Sequence, residues 1–415
     1  MDSGNLAWSV TATALVLLMT PGVAFFYGGL VKAKSVVSMM MMSFGAMGLV
    51  AVLWILFGFN MSLGGGTFAF SGNPLADLGL AGADSDTLVG ATFGATFAII
   101  TVALISGAIA DRAKFGAWMI FAGIWATVVY FPVAAWVWGD GWIFNWGDET
   151  GLPAVIDYAG GTAVHINAGA AALALALVLG KRVGFQKGIH KPHNVPLVML
   201  GAALLWFGWF GFNAGAEGTF GLLGTEDQAV GTIVVNTLGA TAAAILGWVL
   251  VEKLKDGKAT SVGAASGAVA GLVAITPACA SLAPGWALLL GVVAGAVCAL
   301  AVELKWKLGY DDSLDVVGVH LVAGLWGTVG IGFLATESGL FYGGGFNQLA
   351  VQVIIALVAV AFSLVVTAVI ALALKATLGW RVSEDAEVGG IDLSSHGETA
   401  YEFIQQGSVI KEVRA

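Results

Sequence analysis

His165 and His320 each sit inside a long apolar run with no Lys or Arg beside them. An imidazole in such surroundings must find a partner or line a cavity, and ionisable groups in apolar spans are functional candidates. A facing neutral pair can offer one donor and one acceptor nitrogen to each other and to a small molecule passing between them. The same pair resists double protonation, because like charges repel. It therefore suits a small polar molecule or a relayed proton, and suits a bare cation poorly. A plain interhelical hydrogen bond would also satisfy both rings. A metal site is less attractive. The two cysteines, Cys279 and Cys298, lie in apolar stretches, and no Asp or Glu is placed with both histidines to complete a ligand set. No cofactor is expected.

Aromatic residues extend this pattern. Phe93 and Phe97 fall one helical turn apart early in an apolar run, Phe212 falls late in another, and Trp138 ends a third. Packing or an interfacial belt would account for each alone. Their shared depth on one side of the histidines points to a vestibule with a cation–π surface leading to an apolar gate.

The elements that must hold these residues are helices. Of 415 residues, 58% are hydrophobic and 10% charged, where about 25% charged is usual for a soluble domain. The apolar residues recur in stretches of about 20, the length that crosses the hydrocarbon of a bilayer. Small residues run through them, as in GAALLWFGWFGFNAG from Gly201 and GVVAGAVCAL from Gly291, which lets helices pack closely. An outer-membrane barrel would show alternating segments of roughly ten residues instead. The fold class expected is all-α and polytopic. Eleven spans are predicted at 8–30, 36–60, 90–110, 115–138, 157–179, 195–216, 228–251, 261–277, 285–304, 314–335 and 348–375.

Charge sidedness tests the count. The connections after the odd-numbered spans carry Lys32, Lys34, Arg112, Lys114, Lys181, Arg182, Lys187, Lys191, Lys253, Lys255, Lys258, Lys305 and Lys307. Lys375, Arg381, Lys411 and Arg414 lie at or beyond the end of the last span. The opposite connections hold acidic residues such as Asp84, Asp86, Asp148, Glu149, Glu226 and Asp227. The N-terminus is thus expected outside and the C-terminus inside. The segment before the first span lacks a basic region, so that span reads as retained rather than as a cleaved signal.

A short repeat accompanies this topology. His165-Ile-Asn-Ala-Gly169 and His320-Leu-Val-Ala-Gly324 each follow a valine, with Asp157 and Asp315 upstream. With five spans per half the repeat is inverted, over about 8–179 and 195–335, an arrangement that places sites near the midplane. A membrane domain over 1–375 and a cytoplasmic tail over 376–415 follow. His190, His193 and His396 fall in cytoplasmic segments. The net charge of −9 offers no basic surface for nucleic acid. The glycine runs lack the strand–turn–helix context of a nucleotide cradle.

Several long motifs carry a resemblance: PGVAFFYGGLVKAKSVVSMMM from Pro21, FGATFAIITVALISGAIADR from Phe93 and DYAGGTAVHINAGAAALALALVLGKRVGF from Asp157. Others are KPHNVPLVMLGAALLWFGWFGFNAG from Lys191, TPAC from Thr276, DDSLDVVGVHLVAGLWG from Asp311 and SHGETAY in the tail. The chain resembles the Amt/Mep/Rh ammonium transporter family, on its bacterial Amt branch, over nearly its whole length. That resemblance implies no enzyme but a conductor of ammonium or ammonia in a bacterial cytoplasmic membrane, built as a homotrimer with one path per protomer.

The family match also implies residue roles. Trp138 would recruit external cation together with Phe97, the position of Ala216 and the underlying Asp157. Phe97 and Phe212 would form the stacked gate, and His165, His320 and Trp209 would line the pore. Recruitment, deprotonation and passage of ammonia would follow, with a proton free to travel separately along the imidazoles. A trimeric PII-type signal protein would block the cytoplasmic exit. Ala216 departs from the pattern, because many bacterial relatives carry serine there and a methyl cannot accept a hydrogen bond. Two alternatives remain in view: an ion-coupled secondary transporter, expected to have helices broken at the midplane, and an ammonium sensor signalling through its tail.

Overall fold

In hydrocarbon a backbone must satisfy its own N–H and C=O groups, which leaves long apolar runs the helix as their solution. The computed structural model describes residues 1–64, 70–185, 191–219 and 229–402, and no strand occurs among them beyond isolated bridges. Lys187, His190, Glu226, Asp227, Lys411 and Arg414 lie outside the described residues.

Among the described residues, ten helices are long and apolar enough to cross a membrane. They are α1 Ser3–Leu30, α2 Val36–Ser62, α3 Ser85–Ile109, α4 Phe115–Trp138, α5 Gly161–Leu179 and α6 Val195–Glu217. The rest are α7 Val230–Asp256, α9 Pro284–Leu308, α10 Val317–Leu334 and α11 Asn347–Thr377. Their ends follow local chemistry. Asp2 and Asp84 accept backbone N–H groups at the starts of α1 and α3, and Pro284 occupies the first turn of α9. Gly180 and Gly257, both at positive φ, follow α5 and α7.

The predicted span at 261–277 forms a helix, α8, over Ser261–Ile275, but its 15 residues are too few to count with the ten. Pro277 ends its ladder, since a proline has no N–H to donate to the preceding turn, although Thr276 before it is still helical. The chain continues as a buried turn through Leu282. There the carbonyls of Thr276 and Pro277 accept the N–H groups of Ala159 and Tyr158 at 3.3 and 3.1 Å.

Small residues set the packing. A methyl on Gly208 or Gly211 in α6 would strike Met19 or Leu15 in α1, and one on Gly295 in α9 would strike the Ala244 backbone in α7. Phe207, Leu246, Leu357, Val365 and Val369 stay exposed on outer faces, as a lipid-facing or subunit-facing belt requires.

After α11 come two one-turn helices, α12 Glu384–Gly389 and α13 Ile391–His396. They pack onto one end of the bundle rather than standing free. Trp380, Glu387, Ile391 and Asp392 are buried. Asp392 accepts the N–H groups of Val37 and Ser38 at 3.1 and 2.8 Å, which caps α2 from a distant part of the chain. Glu387 accepts the Val183 N–H at 2.6 Å and pairs with Arg381 at 2.5 Å.

Candidate functional site

The site is built where α5 and α10 cross. Both helices widen to π-helical turns at that point, Gly161–Ile166 and Val317–Leu321, and each turn contains one histidine. Such π-bulges recur at functional positions. The repeat glycines make the crossing possible. A methyl on Gly169 would lie 2.5 Å from the Leu321 nitrogen, and one on Gly324 would crowd Ile166 and the Cβ of His165 at 3.1–3.2 Å.

The crossing brings the two Nδ1 atoms to 3.3 Å with the rings nearly parallel, centroids 5.4 Å apart. One proton fits between those nitrogens. A neutral pair therefore holds opposite tautomers, one ring protonated at Nδ1 and the other at Nε2. His165 Nε2 is buried with no partner of its own, so it can face a permeant. Trp209 stacks on His165 at 5.4 Å and 18°, and its indole N–H donates to the Thr276 hydroxyl at 2.7 Å. Both rings face a cavity of about 10 Å³ whose lining also includes Tyr27, Leu104, Phe212 and Val269, and no Asp, Glu, Lys or Arg. That volume has room for roughly one water.

Phe97 and Phe212 close this cavity on one side. Their rings stack at 4.1 Å and 15°, both buried. Beyond them opens an aromatic cup of about 80 Å³, walled by Trp54, Phe97, Tyr130, Trp138, Tyr158 and Ala216. Trp138 stands edge-on to Phe97 at 6.0 Å. The cup leads to a vestibule of about 640 Å³ that Trp138, Asp157, Ala216, Glu217 and Glu337 also line. The sequence thus named side chains that do share one path. Phe93 lies beside Phe97 at 4.9 Å, behind the stack rather than in the cup.

Asp157 is found beneath the cup, with its carboxylate turned into the start of α5. It accepts the N–H groups of Gly160, Gly161, Thr162 and Ala163 at 2.5–3.2 Å, together with the Thr162 hydroxyl. Its carbonyl receives the Trp138 indole N–H at 2.9 Å, which fixes the ring over the cup. Asp157 acts on the mouth by holding these two pieces in place.

The repeat partner of Asp157 proves to be Asp312, not Asp315. Asp312 accepts the Val317 N–H at 2.7 Å at the start of α10 and, like Asp157, precedes its histidine by eight residues. Asp315 is paired with Lys305 at 2.5 Å. Around Asp312 lies a buried ionic cluster. Arg182 contacts Asp311 at 2.8 Å and Asp111 at 3.3 Å, and Arg112 donates to the Asp311 carbonyl at 2.6 Å and the Ser313 hydroxyl at 2.5 Å. Burial lowers the Arg112 guanidinium to about 10. Burial alone would raise the Asp311 carboxyl, but Arg182 outweighs it and holds that group below its ordinary range. Asp312 has no arginine of its own, and burial pushes it up to about 6.

Sequence reasoning missed Asp312, the Tyr158–Glu217 hydrogen bond and the support of Trp209 by Thr276. Counting eight back from each histidine would have found the first.

Residues 7–401 match the Ammonium Transporter Family. The chain is 52% identical to the ammonium transporter of Mycobacterium tuberculosis over 453 residues, covering 99% of this chain and 92% of that one. Its fold is similar to the crystal structure of Saccharomyces cerevisiae Mep2, with TM-score 0.83 at 33% identity over 93% of this chain and 88% of that one. It is also similar to a Sensor Amt Protein, with TM-score 0.85 at 26% identity over 94% and 98% of the two chains.

Proposed function

The chain belongs to the ammonium transporter family, a transporter rather than an enzyme family, and on that premise we propose that it conducts ammonia drawn from recruited ammonium through the twin-histidine passage. Ammonium enters the vestibule and rests on the face of Trp138, with Phe97, Asp157 and the position of Ala216 around it. A cation–π contact contributes about 0.5–2 kcal/mol there. The stacked Phe97 and Phe212 must part for passage. Below them the lumen has no fixed charge to balance an ion, so a bare cation faces a barrier of several kcal/mol or more. Ammonia passes by exchanging hydrogen bonds with the histidines, and the proton is free to follow between their nitrogens. The observation that carries this reading is the sequence of cup, stacked gate and charge-free cavity with two imidazoles in contact.

The membrane arrangement belongs to the same proposal. Eleven crossings, α8 with its buried turn being the eighth, put the N-terminus outside and the C-terminus inside a bacterial cytoplasmic membrane. The grouping of basic residues supports this, because Lys32, Lys114, Arg182 and Lys305 all gather at the end where the tail docks. Residues 1–375 form the conducting domain and 376–415 the cytoplasmic tail. The exposed apolar faces suit a homotrimer, and a PII-type protein would meet the docked tail at the exit. An ion-coupled mechanism gains little support, since α5 and α10 widen but stay helical through the site. The sensor reading rests on a neighbour 26% identical, against a transporter at 52%.

The test is reconstitution in liposomes with current and internal pH recorded after an ammonium pulse. Ammonium-selective transport that falls roughly tenfold or more in His165→Ala and in His320→Ala, about 1.4 kcal/mol of lost barrier lowering, is expected. Near-normal flux and selectivity in both variants would remove the role assigned to the pair.

A further inference from the structure

Ammonium carries four N–H donors, and a desolvated donor left without an acceptor is costly. The aromatic cup offers π faces, but Ala216 contributes only a methyl to its wall. The Asp157 carboxylate is engaged by four backbone N–H groups and a hydroxyl, and its charge meets the positive end of α5. The cup therefore needs negative charge and an acceptor from elsewhere.

Glu217 supplies both. It follows Ala216 directly, in the last turns of α6, where the unsatisfied carbonyls of a helix end favour cations. Its carboxylate accepts the Tyr158 hydroxyl through Oε2, and Tyr158 also lines the cup. Burial raises the Tyr158 phenol well above its ordinary range, and Glu217 adds to this, so the phenol remains a donor. The second carboxylate oxygen is free of that bond. Among the described residues no Lys or Arg lines the vestibule, and the other carboxylates there are Asp157 and the exposed Glu337.

We propose that Glu217, braced by Tyr158, is the anionic acceptor of the cation site, taking a hydrogen bond from ammonium or its hydration water at the mouth of the cup. It concentrates the ion and discharges it to the gate without taking part in the passage below.

The proposal rests on the ammonium-transport reading, and the experiment separates the two. Half-saturation and maximal ammonium current are measured in proteoliposomes at fixed pH and membrane potential, at low and high ionic strength. Glu217→Gln keeps an acceptor for Tyr158 and removes only the charge. It should raise half-saturation roughly three- to tenfold at low salt, less at high salt, with maximal current kept. Tyr158→Phe should shift it about twofold in the same direction, by loosening the carboxylate. Glu149→Gln, at an exposed glutamate outside the vestibule wall, should leave it unchanged. An unaltered half-saturation in Glu217→Gln at both salts, or a fall in maximal current alone, would overturn the proposal. Absence of ammonium transport in the unmodified protein would instead overturn the reading beneath it.

Discussion

The helices that carry the two histidines begin alike and live differently. At the start of α5, Asp157 gathers four backbone N–H groups and a hydroxyl beneath an aromatic cup. At the start of α10, Asp312 holds the Val317 N–H with one oxygen, while its other oxygen is buried without a partner. The first cap faces a mouth rich in aromatic rings. The second is packed among arginines, a lysine and further aspartates, beside the backbone groups of Arg112 and Val183 that hold the tail. One device, an aspartate eight residues before a histidine, thus serves two ends with separate tasks. On the proposed reading, the mouth holds a cation loosely and releases it, whereas the other end fixes loops and tail around the exit.

The most severe way to sharpen that contrast is to delete each cap. Asp157→Ala strands up to five donors near the vestibule, a loss on the order of 3–6 kcal/mol, enough to remove most folded protein. Asp312→Ala strands one donor and also removes a buried carboxyl, so about 1 kcal/mol is expected. The milder Asp312→Asn adds a pH arm. Burial raises the Asp312 carboxyl to about 6, above its unfolded value, so its stabilising contribution is complete below the unfolded pKa. That contribution is lost as pH rises through 6. Between pH 7 and pH 4 the wild type should gain on the order of 1–3 kcal/mol relative to Asp312→Asn. Thermal unfolding of purified protein across that range measures it. Equal pH dependence in the two proteins would mean that the two caps are more alike than their surroundings indicate.

These differences mark what the sequence could carry. His165, His320, Gly169 and Gly324 were legible because an apolar run leaves few residues to choose from, and because the repeat preserves their order. Phe97, Phe212 and Trp138 were legible as a layer, but their stacking at 4.1 Å depends on helix rotation that no spacing encodes. The π-helical turns at both histidines left no mark, since no residue type signals one extra residue per turn. Asp312 was passed over for Asp315 because three aspartates crowd that stretch and only the backbone shows which one turns inward. Asp392 capping α2 could not be read from either segment alone, as its partners are Val37 and Ser38. Pro277 was visible, and it is the residue that shortens α8.

A second test of the contrast moves to the mouth itself. If recruitment and conduction are divided as proposed, Trp138→Leu should raise half-saturation about 2- to 30-fold and leave a working pore. Phe212→Ala, one ring deeper, should change maximal flux and selectivity more than half-saturation. Ammonium-dependent currents over a concentration series distinguish the two. A Trp138→Leu variant that altered only maximal rate would show that the cup is not where the cation is held.

The smallest expected effect is also the one that asks how the mouth compensates for its own composition. Ala216 lines both cup and vestibule and offers no acceptor. Ala216→Ser adds a hydroxyl at that wall. A hydrogen bond to a charged partner contributes about 1.5–3 kcal/mol when water is excluded, but water bridges recover much of that at an open vestibule. Ala216→Ser should therefore lower half-saturation only modestly, roughly two- to fivefold. If serine and Trp138 hold the same ion, the hydroxyl should also make Trp138→Leu less damaging, because the ion keeps one of its two contacts. Contacting residues show such non-additivity, whereas independent ones add within about 0.3–0.5 kcal/mol. The four half-saturation values of the cycle, taken at fixed pH and potential, decide between these. Strict additivity would mean that position 216 and Trp138 serve different ions or different moments of entry. Insensitivity of His165→Ala to the added serine is expected either way, since the stacked phenylalanines stand between that histidine and the cup.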